Sequence, residues 1–184
     1  MTALIRSSIL SLYGMLLAGA APLVAQTEQQ PVVTASGFAD LYHVYDFNTP
    51  NQARQTFLYN HNRHLETNLN LGMLKLGLDH SKYRANLALA AGTYMDDNYS
   101  EEVGSMQSVF EANVGVALNS KQSLWLDVGV LPSHLGFESP ISSDNHTLTR
   151  SLAAENSPYY MSGAKLTWTA NDRLEVAAMA LNGW

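Results

Sequence analysis

The residues that could do chemistry fall in a few short stretches. His61-Asn62-Arg63-His64 carries two imidazoles three positions apart. Residues three apart in a strand point to opposite faces, so the two rings could share a metal only from a loop. A zinc centre also needs further ligands, and the chain has no cysteine. Asp96-Asp97-Asn98, with Glu101 and Glu102, offers the oxygen atoms that calcium takes, but without EF-hand spacing, and a solvated acidic loop accounts for them as well. Ser133 and His134 are neighbours, yet a nucleophile and its base are defined by geometry rather than adjacency. The chain has no G-x-S-x-G elbow and no glycine-rich phosphate loop. These patterns argue against an enzyme. They imply no metal and no cofactor.

A second set of charges is spread along the chain. Asp40, Glu66, Arg84, Glu111, Asp127 and Lys165 each stand among alternating apolar residues. If those stretches are strands around a lumen, these side chains face it. Their signs are mixed, and a ring of one sign is what ion selectivity would call for. They either filter solutes or pair with one another across strands and solvate the wall. The segment 132–158 holds His134, Glu138, Asp144, His146, Arg150 and Glu155, and Thr147–Glu155 could form a short helix. Folded into a lumen, such a segment would narrow it, with Arg150 and Glu155 as the candidate constriction residues. An ordinary surface loop is the other reading.

The elements that must position these residues are strands. In 110–132, Phe110, Ala112, Val114, Val116 and Leu118 alternate with Glu111, Asn113, Gly115 and Ala117. Asn119-Ser120-Lys121-Gln122 breaks the pattern, and Leu124, Leu126, Val128 and Val130 resume it. Period two, a polar turn and period two again predict a β-hairpin. Each arm is about ten residues, the length that a tilted strand needs to cross a bilayer core. One face is aliphatic and the other mixes carboxylate, amide and glycine, as in a wall between lipid and a polar lumen.

Further strands are expected at about 36–47, 63–79, 83–95 and 159–168, and from 173 to the end. A bulge near Gly72–Leu74 is expected where the apolar phase slips. The connections alternate long and short: 48–62, 80–82, 96–106, 119–122, 132–158 and 170–172. Aromatic residues collect at strand ends, Tyr45, Phe47, Tyr94, Phe110 and Tyr159 at the long-loop end and Tyr83, Trp125 and Trp168 at the other. Both features fit an antiparallel up-and-down transmembrane β-barrel with about seven strands present. A secreted soluble β-sandwich would also alternate, but has no reason to sort its turns by length.

Residues 1–25 read as a signal peptide, with Arg6 ahead of an apolar run over 9–21 and Pro22 ending it. Residues 26–184 are then the barrel portion. Seven strands do not close an even-numbered barrel, so the expectation is that this is the N-terminal part of a longer barrel. The net charge of −6 excludes a nucleic-acid binder that would need a basic face. A mean hydropathy of −0.10 excludes a bundle of membrane helices.

Several phrases together resemble one family: YDFNTP (45–50), FLYNHNRHLETNLNLGMLKL (57–76), RANLALAAGTYM (84–95), EANVGVAL (111–118), LWLDVGVLPSHLGFESPIS (124–142) and TLTRSLAAENSPYYMSGAKLTW (147–168). They are similar to the OmpL-like outer-membrane β-barrel porins. The resemblance implies a Gram-negative outer-membrane channel for passive passage of small hydrophilic solutes. A non-channel barrel serving as a structural protein, adhesin or enzyme is the alternative. The partners implied are outer-membrane lipid and small hydrophilic solutes, with a homo-oligomer compatible and no nucleic acid.

Overall fold

A computed structural model describes residues 30–51 and 53–182. The expected signal peptide lies outside them. Seven strands form one antiparallel sheet in chain order: β1 (Val32–His43), β2 (Thr67–Asp79), β3 (Tyr83–Ala91), β4 (Val109–Ala117), β5 (Leu124–Pro132), β6 (Tyr160–Asn171) and β7 (Leu174–Leu181). Two short helices, α1 (Thr93–Asn98) and α2 (Leu152–Glu155), lie in the long connections. Among the described residues the sheet is open, with β1 and β7 as its edges. Among the described residues no helix is long and apolar enough to cross a membrane, which leaves crossing by strands untouched. A nine-residue strand such as β4 reaches about 30 Å and, tilted, is matched to an apolar band about 25 Å tall.

The alternation in sequence becomes two rows of opposite character. Val33, Leu78, Ala85, Val114, Val128, Ala164 and Ala180 are direct register partners across all seven strands. One residue along, Arg84, Gly115, Asp127 and Lys165 are register partners on the other face. The burial is the reverse of a soluble sandwich. Leu74 is 75% exposed and Val114 62%, whereas Asp127 is 3% exposed and Glu111 6%. An aliphatic sheet face this large and bare needs an apolar medium against it. The polar face is the one covered by the rest of the chain.

The phase slip in β2 lies at Asn70, ahead of the expected Gly72–Leu74. Asp40 pairs with Leu71 and Leu41 with Leu69, leaving Asn70 as the extra residue. The sequence placed the slip later because Leu69, Leu71 and Met73 keep an apolar alternation across the bulge. Strand ends also move. β1 runs four residues earlier than expected because Val32 and Val33 pair with Asp79 and Leu78. β2 starts at Thr67, after Leu65, which takes a positive φ of 59°. β3 stops at Ala91, and 93–98 is helical rather than extended. The short helix in the longest connection is α2 alone, with a 3-10 turn at Ser142–Asp144 before it.

Where β5 pairs with the first third of β6, Gly129 and Gly163 oppose one another, both with positive φ, 135° and 156°. A side chain at either would run into the neighbouring backbone: the Ala112 carbonyl for Gly129 and the Ala180 carbonyl for Gly163. Only glycine combines that backbone with so close an approach.

The apolar core is at the long-loop end, on the polar face. Leu71, Ala90, Tyr94, Met95 and Tyr99 are buried there, with Phe38, Met73, Phe110, Ile141 and Tyr159 packed around them. Tyr94, Phe110 and Tyr159 thus turn inward rather than out to a membrane-facing belt, because α1 and segment 133–159 fold over this end of the sheet and bury their rings. Tyr83 and Trp168 stay on the outer face, 41% and 51% exposed.

Candidate functional site

The covered face carries two kinds of polar structure. Along the strands the charges pair. The Lys75 ammonium donates to Glu111 at 2.6 Å, from β2 across β3 to β4. Arg84 holds Asp127 with two bonds, Nε to Oδ1 at 2.7 Å and Nη2 to Oδ2 at 2.6 Å. These two residues are on β3 and β5, and Gly115 lies between them on β4. The glycine leaves room for the bridge, since a side chain there would strike the Asp127 carboxylate and the Arg84 stem. The Arg84 guanidinium also sits 4.3 Å from the centre of the Trp125 ring. Asn86 and Asn113 join by an amide hydrogen bond of 3.2 Å, and Asn113 donates to Glu111 at 2.9 Å. Lys165, in register with Asp127, has no ion pair among the described residues.

At the long-loop end a buried hydrogen-bonded chain ties three connections to the sheet. It begins at Asp40 on β1, whose Oδ2 meets His61 Nε2 at 2.8 Å and accepts from Asn70 Nδ2 at 3.0 Å. The bulge turns Asn70 inward, where its Oδ1 also accepts from the His61 backbone N–H at 2.9 Å. Asn70 donates to Asn60, and Asn60 donates to Glu155 Oε1 at 3.0 Å. Glu155 accepts the Tyr59 N–H at 2.8 Å and the Arg150 Nε–H at 3.2 Å. Glu155 is 1% exposed and Arg150 9%. The Arg150 guanidinium lies 5.5 Å from the centre of the Tyr94 ring, and its Nη2 is buried with no hydrogen-bond partner.

Local sequence explains how Glu155 arrives there. Ser151 caps α2, its hydroxyl accepting from the Ala154 N–H. The cap is itself held by Glu138, which accepts from both the Ser151 N–H and hydroxyl. Those donors hold the Glu138 carboxyl below its ordinary value of 4.5. Asn156 ends the helix and Pro158 follows, so α2 delivers Glu155 and stops. Burial pushes the phenols of Tyr94 and Tyr99 above their ordinary value. Both therefore act as neutral packing groups. Asp97 anchors α1 to the 44–66 connection by accepting from Arg63 at 2.9 Å, and this carboxylate keeps the guanidinium strongly protonated.

The structure therefore brings Asp40, Arg150 and Glu155 into one network and places Arg84, Glu111 and Asp127 in cross-strand pairs. Glu66 is exposed just before β2 and joins neither. His61 and His64 do not converge: His61 serves Asp40, and the His64 Nδ1 accepts from the Asp46 N–H at 3.0 Å. Ser133 accepts from the Leu135 N–H and has no bond to His134. Among the described residues, no group of three or more acidic or imidazole ligands could hold a metal. Asn60 and Asn70 are central to the network. Neither stands out in the sequence, since an amide carries no mark of the partner it will meet.

A sheet with an aliphatic outer face and a paired, charged inner face has its counterpart in a known family. The family model described as "Putative beta-barrel porin-2, OmpL-like" matches residues 32–184. The chain belongs to this family. The match covers all seven strands and every connection between them, including α1 and α2. It makes the protein a β-barrel porin at the level of family. No curated protein and no solved structure is detectably similar to the chain.

Proposed function

We propose that this porin is a channel in the outer membrane of a Gram-negative cell, exported by its segment 1–25. It passes small hydrophilic solutes and is narrowed at one end by segment 133–159. The observation that carries this reading is the Arg150–Glu155 pair. Glu155 of this pair also accepts from Asn60, which in turn accepts from Asn70 of β2, and so ties the longest connection to the charged face of the sheet, while the other face is left aliphatic. Lipid covers the aliphatic face, and the paired charges line the water path. A homo-oligomer is compatible with this arrangement, and nothing in it offers a basic face to nucleic acid.

The test is conductance of the full gene product in a planar bilayer. Ohmic steps are expected. In Lys165→Glu, the reversal potential in a salt gradient should move toward cation preference, since an unpaired inner-face cation becomes an anion. A second reading, a barrel without an open pore, is favoured by the ring cluster at the mouth. There Tyr99 stacks on Tyr159 at 4.1 Å and fills part of the inner side. Absence of any conductance from folded, membrane-inserted protein would establish that reading instead.

A further inference from the structure

Between segment 133–159 and the inner face of the sheet lies a cavity of about 310 Å³. Its walls are largely apolar, with Met73, Tyr94, Phe110, Ile141 and Tyr159 among them, and Arg150 lines it as well. The volume is at the small end for ligand pockets, suited to one ring or a branched chain. Its charged groups differ in how fully they are satisfied. Both oxygens of Glu111 are engaged, one by Lys75 and one by Asn113. Both oxygens of Glu138 are engaged by Ser151. What remains unmet is a donor, the buried Nη2 of Arg150. Lys75 adds a second source of donors, since only one of its three N–H groups is used on Glu111.

A buried donor without an acceptor is costly, and a planar guanidinium matches a carboxylate in both charge and geometry. We infer that this cavity binds a small monocarboxylate with an apolar, ring-sized body, its carboxylate on Arg150 and its body against Tyr94 and Phe110. A neighbouring cavity across Tyr159 has the opposite character. Asp97, Glu101 and Glu102 line it with no basic residue, so a carboxylate is directed away from it. The inference names a solute class for the channel and rests on that reading only for the route by which the solute arrives.

The test separates the two. Calorimetry of the full gene product in detergent, titrated with benzoate, benzyl alcohol and acetate, reads binding with no need of conduction. Benzoate should bind at least ten-fold more tightly than either, because one comparator lacks the charge and the other lacks the body. The double variant Arg150→Met/Glu155→Met removes both members of the buried pair and should lose benzoate by a similar factor. Its fold is checked by the heat-dependent gel mobility of a closed barrel. Equal affinity for benzoate and benzyl alcohol, or undiminished binding in the folded double variant, overturns the inference. Should the double variant not fold, the three-ligand comparison on the native protein still decides. In a bilayer, native channels that conduct but are not blocked by benzoate count against this inference alone. A protein that binds benzoate but never conducts counts against the channel alone.

Discussion

At the scale of single residues, the polar groups of the inner face are held by specific partners, and their removal has calculable consequences. Glu155→Ala strips the acceptor from Arg150, the Tyr59 N–H and Asn60 at once. Breaking a buried pair from one side costs about 3–5 kcal/mol, because the other charge stays buried. The denaturant midpoint should fall accordingly, and protease should then cut within 133–159. Removing both partners together should cost much less. Glu138 gives a pH dependence of definite sign. Its carboxyl is held below 4.5 by Ser151, so its contribution is fully present above the ordinary value and disappears as pH falls through the lowered one. The protection of the Ser151 and Ala154 amides, relative to their intrinsic exchange, should fall only on acidification below about 4.5, and Glu138→Gln should abolish that transition. The candidate charges could be picked out in the sequence by their place among alternating apolar residues. Their partners could not, because Arg84 and Asp127 lie 43 positions apart and meet only through the register of two hairpins.

At the scale of elements, periodicity was a reliable guide wherever both faces of a strand differ. The β4–β5 hairpin and its turn stand almost where alternation puts them. It failed at Asn70, where apolar residues continue on both sides of the bulge, and at 93–98, where tertiary packing over the core turns an expected strand end into a helix. The pairing of β6 with its neighbours depends on Gly163, and Gly163→Ala should be damaging beyond its size. The positive φ alone costs about 1–3 kcal/mol in a non-glycine residue, and the added methyl meets the Ala180 carbonyl. The yield of heat-modifiable, detergent-folded protein should drop sharply. Ala164→Gly next to it, on the outer face, should leave that yield nearly unchanged.

At the scale of the whole molecule, the two faces of the sheet should respond oppositely to one charge. Val114 is 62% exposed on the outer face near the middle of β4, and Val114→Arg should hinder assembly by about 2–4 kcal/mol. Thr34, exposed on the opposite face, should accept the same substitution with little change in folded yield. Equal tolerance at both positions would reverse the assignment of faces. The sequence by itself determined the strands, their antiparallel order, the sorting of long and short connections and which face is aliphatic. Each of these follows from local periodicity and turn chemistry, which a chain carries in neighbouring residues. Only the tertiary structure decided that the longest connection lies on the inner face, that Asn70 turns inward to join Asp40 to His61, and that Arg150 lines a cavity with a donor unmet. These depend on groups far apart in the chain, Tyr59 and Glu155 being 96 positions apart, whose meeting is set by how the long connections fold over the sheet rather than by any local pattern.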